Sequence, residues 1–214
     1  PWDLLAPLFQ VPTELAGRLG DYRSPLRFED GSRVTTAAQW PRRRAEILRA
    51  WHGVMGAWPA VLADPKLETI AESRRETFTQ RRVRLDVAPG QRIDGAGPFP
   101  AVVVPFYEPE TSVGLGARPH RDFARQLTRA GFVTLSIGTP VGDARVPERG
   151  VVTAQPLSYY AYVAANCWTA VASLPIVDPA RIGIVGHSYG GKWSMFGGAF
   201  WDKYAAVATS DPGI

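Results

Sequence analysis

The run Gly186-His187-Ser188-Tyr189-Gly190-Gly191 sets a serine between two glycines in the pattern G-x-S-x-G. Such a match is common by chance, and its flanks give it weight: residues 181–185 read as a buried strand and residues 191–201 as a helix. A serine in a sharp strand-to-helix turn exposes its hydroxyl, and glycines on either side remove β-carbons that would collide as the two elements approach. The helix start also offers the positive end of a macrodipole to the negative charge that develops during acyl transfer. Ser188 is therefore the candidate nucleophile for attack on a carbonyl carbon. The plainer reading of the same residues is a glycine-rich turn in which Ser188 caps the helix or faces an anion.

A serine nucleophile needs a base, and the chain has three histidines. His187 adjoins Ser188, but neighbours in such a turn point in different directions, so His187 is expected to pack under the turn. His120 follows Pro119 at a helix start, and His52 sits beside an apolar helical stripe; both read as structural.

The elements that must carry these residues follow from hydrophobic spacing. Residues 1–60 form a helical, loop-rich lead segment, in which Pro41 opens a helix and Ile47, Leu48, Trp51 and Met55 recur on one face toward a core. Residues 67–73 and 78–87 read as an antiparallel pair closed by Pro89-Gly90. From residue 100 onward, strands at 101–104, 132–137, 181–185 and 205–210 alternate with helices at 120–130, 157–174 and 191–201. That alternation predicts an α/β fold, a mostly parallel sheet with helices on both faces and right-handed crossovers. Ligands of such sheets bind beyond the carboxyl ends of the strands, after Val104, Ile137, Val185 and Ser210.

In this context residues 66–214 resemble the N-terminal portion of an α/β-hydrolase domain, with the chain stopping after about the sixth strand. The resemblance implies the order nucleophile, acid, histidine. It places the catalytic histidine beyond residue 214, on a remaining C-terminal part of the domain. It also implies oxyanion donors from the N–H of Tyr189 and from the loop Pro105-Phe106-Tyr107-Glu108, where proline has no N–H and Phe106 or Tyr107 must serve. Glu108 either helps line the acyl pocket with Tyr107 or belongs to a surface loop.

Within the superfamily, Ser188-Tyr189-Gly190-Gly191-Lys192 resembles the glucuronoyl esterases among the carbohydrate esterases. By that resemblance Lys192 contacts substrate hydroxyls, and Asp211, after strand 205–210, is the triad acid. Each has a plain alternative: Lys192 as a solvated helix residue, Asp211 as a turn residue of Ser210-Asp211-Pro212-Gly213. The family's arginine directly after the nucleophile is replaced here by Tyr189. The elbow and the Val177-Asp178-Pro179-Ala180-Arg181 lead-in also resemble acetyl xylan esterases and dienelactone hydrolases. The resemblance implies a serine carboxylic ester hydrolase acting on carbohydrate-linked or other small esters, without cofactor or metal. The alternatives are a prolyl-oligopeptidase-type serine peptidase and a non-catalytic binding protein on a hydrolase scaffold.

Composition narrows the setting. With 45% hydrophobic and 21% charged residues the chain belongs among globular proteins rather than disordered ones. The basic cluster Arg42-Arg43-Arg44 is followed by Glu46 and reads as a solvated face, not a nucleic-acid site. The single cysteine, Cys167, excludes an internal disulfide and a cysteine-based zinc site. No apolar run reaches the length of a membrane span. The chain opens on Pro1 and not Met, which implies removal of an upstream segment such as a leader; a secreted or periplasmic setting is favoured over a cytoplasmic one.

Overall fold

A computed structural model describes residues 12–18, 20, 23–76, 78–97, 101–117, 120–140 and 142–213. Residues 1–11 of the expected lead segment, and Pro119 before His120, lie outside these. The chain divides into two compact units, Pro1–Ala50 and Trp51–Ile214, and helix α1 (Trp40–Met55) crosses the division.

In the first unit, Gln39 Oε1 accepts the N–H groups of Thr35 and Thr36 just before α1. Of the apolar stripe expected on α1, Met55 is buried, but Trp51 is 48% exposed and Ile47 and Leu48 are half-buried, whereas Arg43 and Glu46 are buried. The reason is the polar backbone of the loop before the helix. Glu46 accepts the Glu29 N–H at 3.0 Å and Arg43 Nε donates to the Pro25 carbonyl at 2.9 Å, while the two side chains pair at 3.0 Å. Burial works against the Glu46 charge, but these bonds prevail and hold its carboxyl below the ordinary value. Arg42 pairs with Asp30 at 2.8 Å, in keeping with a solvated, self-neutralised cluster.

The second unit is built on a seven-stranded sheet. Its strands are β1 (Leu67–Arg75), β2 (Phe78–Ala88), β3 (Gln91–Gly97), β4 (Val102–Pro105), β5 (Thr134–Ile137), β8 (Gly183–His187) and β9 (Ala206–Ser210), in the order β1-β2-β3-β5-β4-β8-β9. A separate two-stranded hairpin joins β6 (Gly142–Asp143) to β7 (Val146–Pro147). Pairing is antiparallel from β1 to β5 and parallel from β5 through β4 and β8 to β9. Pro89-Gly90 does not end the antiparallel region; it turns β2 into β3, a glycine-rich strand whose weak apolar pattern hid it in the sequence. The helices are α2 (Pro109–Ser112), α3 (Phe123–Arg129), α4 (Pro156–Ala172) and α5 (Tyr189–Phe200).

Side chains alternate across the parallel strands. Val103, Ile182 and Ile184 join one core with α4 and α5, in which Tyr159, Tyr160, Tyr162 and Trp193 are fully buried. Val102, Val104 and Val185 face the other way, against Ala124, Phe123 and Leu127 of α3. Asn166 of α4 ties three segments together, accepting the Leu62 N–H and donating to the carbonyls of Val87 and Tyr162. Strand β5 leaves β4 on one side and β8 joins it on the other, so the crevice beyond β4 and β8 is the topological switch point of the sheet.

Candidate active site

At that crevice β8 runs directly into α5 through Ser188, whose backbone has φ 56° and ψ −123°. A non-glycine residue in this region is strained, and the surroundings enforce the strain. The Ser188 N–H donates to the Ser210 carbonyl of β9 at 2.9 Å, and the Ser188 carbonyl accepts from Gly191 and Lys192. A β-carbon on Gly186 would lie 1.9 Å from the Gly190 oxygen, and one on Gly190 would lie 2.1 Å from the Pro105 oxygen. The two glycines thus let the end of β8, the start of α5 and the end of β4 meet.

The same approach brings the loop after β4 to Ser188. The Tyr107 hydroxyl lies 3.3 Å from Ser188 Oγ. Tyr107 stands edge-on to Phe106, with ring centroids 5.1 Å apart, and near Tyr189; Tyr189 in turn meets Tyr160, which packs on Trp193. The Tyr107 carbonyl accepts the N–H and hydroxyl of Thr139, from the segment after β5.

One expectation needs correction, and one open alternative narrows. Phe106 is not placed as an oxyanion donor, because its N–H donates to the Ile137 carbonyl at 3.0 Å as part of the sheet ladder. Glu108 is exposed and accepts from Thr111 Oγ1 at 3.1 Å, so its carboxylate is engaged at the start of α2, as a surface-loop role requires.

None of the three histidines is hydrogen-bonded to Ser188 Oγ among the described residues. His187 Nδ1 meets Ser210 Oγ at 3.1 Å, with its ring beside Phe123. His52 approaches the Gly56 carbonyl at 3.4 Å and packs edge-on against Trp58 and Phe200, while His120 is exposed at φ 58°. Asp211 follows Ser210 with φ 46° and is exposed, next in sequence to the carbonyl that anchors Ser188.

Beside the turn is a cavity of about 300 Å³ lined by Tyr189, Lys192, Arg145, Met55, Gln155 and Leu157. Lys192 is half-buried in the first turn of α5, where a cation opposes the helix dipole. Arg145 reaches the same cavity from the β6–β7 hairpin, paired with Asp143 at 3.2 Å; the Tyr160 hydroxyl holds that hairpin through the Ala144 carbonyl. Arg145 was missed in the sequence because the hairpin's short strands carry no periodic signal. Among the described residues no cluster of His, Cys, Asp and Glu could hold a metal ion, and no helix is long and apolar enough to cross a membrane.

No family model matches the chain. A 4-O-methyl-glucuronoyl methylesterase from Neurospora crassa is 26% identical over 209 residues, 94% of this chain and 51% of that protein. The structure of a glucuronoyl esterase from Solibacter usitatus superposes with a TM-score of 0.64 at 18% identity, over 86% of this chain and 62% of its own. A promiscuous CE15 esterase from a marine bacterial metagenome gives a TM-score of 0.66 at 16% identity, over 92% and 63%. The chain has the α/β-hydrolase fold. It spans about half the length of the curated relative. These matches are esterases, and the peptidase alternative finds no support among them.

Proposed function

We propose that the protein is a serine carboxylic ester hydrolase that acts through an acyl-enzyme on carbohydrate-linked or other small esters. The observation that carries this reading is Ser188 at φ 56°, a conformation costing on the order of 1–3 kcal/mol, held by two glycines and a bond to β9. A helix cap needs no such strain, since serine caps helices from ordinary extended backbone. The esterases similar to this chain support the same chemistry.

In the reaction Ser188 Oγ attacks the ester carbonyl carbon and its proton passes to an imidazole. The carbonyl oxygen becomes an oxyanion that accepts from the N–H of Tyr189 and from the Tyr107 segment. The alcohol leaves with the proton returned by the imidazole, and water, deprotonated by the same base, releases the acid and restores the serine. The reading requires a histidine that His52, His120 and His187 do not supply, and it takes Asp211 as the acid that orients that imidazole. Lys192, without an ion-pair partner among the described residues, contributes hydrogen bonds to sugar hydroxyls in the cavity beside Tyr189. Esters on carbohydrate polymers are met outside the cytoplasm, which fits a secreted or periplasmic enzyme.

Ser188→Ala in the full-length protein is expected to abolish turnover of a chromogenic short-chain ester and labelling by a fluorophosphonate, with the thermal midpoint unchanged. Retained turnover would end the assignment.

A further inference from the structure

We infer that the Tyr107 hydroxyl is a catalytic hydrogen-bond donor to the oxyanion, a role that rests on the serine-esterase reading and goes beyond a backbone N–H at this loop. In the resting site the phenol oxygen lies 3.3 Å from Ser188 Oγ, and either atom can donate. Once Oγ is bonded to the carbonyl carbon it has no proton left, so any bond between this phenol and the adduct must be donated by the phenol. The oxyanion stands two bonds from Oγ, within reach of a donor so placed.

Three further observations support the assignment. The Phe106 N–H is spent on the Ile137 carbonyl, so this loop does not supply that backbone donor to the crevice. Tyr107 is fixed at both ends: its carbonyl accepts two bonds from Thr139, and its ring is braced by Phe106 and by the line Tyr189, Tyr160, Trp193 running into the core. A donor held this way needs little reorganisation when charge develops, which is what makes such a contact catalytic. The approach of the loop also depends on Gly190, whose missing side chain admits the Pro105 carbonyl. Throughout the cycle the serine proton goes to the imidazole and returns to the leaving alcohol; Tyr107 keeps its own proton and lends only the hydrogen bond.

The test is Tyr107→Phe in the full-length protein, which keeps the ring and the backbone N–H and removes only the hydroxyl. Turnover of a short-chain chromogenic ester is expected to fall about 10- to 1000-fold in kcat, as for loss of one oxyanion donor. KM should stay within about two-fold, the pH profile unchanged, and affinity for a trifluoromethyl ketone should fall in parallel with kcat/KM. A kcat within two-fold of wild type, a rise in KM alone, or a displaced pH profile would each overturn the role. If wild-type protein neither turns over esters nor labels at Ser188, the esterase reading falls and this inference with it. If wild type does both and the variant matches it, only the Tyr107 role falls.

Discussion

The two faces of the central sheet are built to different standards. On one, α4 and α5 bury Tyr159, Tyr160, Tyr162, Trp193 and Cys167 completely against β2, β4 and β8. On the other, α3 brings Ala124, Phe123 and Leu127 against Val102, Val104 and Val185, and an apolar groove of about 500 Å³ lies between α3 and strands β4, β8 and β9. Ser188 heads α5, so the proposed nucleophile belongs to the closely packed face, while the lining of the wider groove holds no group that could do acyl chemistry. Cavity size is thus a poor guide to the site here. Rigidity is a better one, because a strained serine and a braced phenol need surroundings that cannot relax.

That contrast can be broken most severely at the turn. Gly190→Ala sets a β-carbon against the Pro105 backbone oxygen, which a side-chain shift cannot relieve. It is expected to abolish ester turnover and to destabilise by about 3 kcal/mol or more, read as a lowered denaturation midpoint alongside lost activity. Next in size is truncation of the two faces in parallel. Trp193→Ala should cost about 3–5 kcal/mol, and Leu127→Ala, half-buried beside the groove, about 1–2 kcal/mol. Equal losses in urea melts would show the faces to be equivalent.

The smallest effect is in pH dependence, and its sign differs between the faces. Burial pushes Tyr159 up to about 12 from its ordinary 10.0 and also raises Tyr160, Tyr204 and Cys167, all on the α4–α5 face. Raised folded-state values mean that this stability is complete below the ordinary value of the Cys167 thiol, 9.0, and is lost as pH climbs from there, through the tyrosines' 10.0, toward 12. On the α3 side, the bond from Arg125 holds the Glu76 carboxyl below its ordinary 4.5, so its contribution is present above that value and lost as pH falls beneath it. Near-UV circular dichroism should therefore show tyrosine packing failing in alkali; a near-UV signal unchanged past pH 12 would contradict it.

Much of the scaffold was legible in the chain. The unbroken apolar run 101–104 and the largely apolar 181–185 became β4 and most of β8, and the glycine spacing about Ser188 marked the turn. The Arg43–Glu46 pair buried on α1 and the glycine-rich strand β3 were not, since a charged face reads as solvated and a glycine-rich run as a loop until the backbone groups they satisfy are known. Phe106 and Glu108 looked available because residue type says what a group can do and not what already occupies it.

What the sequence determined by itself was therefore the sharp turn at Ser188, the alternation of strand and helix, and the strand end at which that turn sits, because these rest on local steric rules and hydrophobic period. Tertiary structure alone decided which side chains face Ser188. Tyr107 is far from it along the chain and meets it only because β4 and β8 pair in parallel and Gly190 lets their ends close, while the same pairing of β4 with β5 consumes the N–H of Phe106.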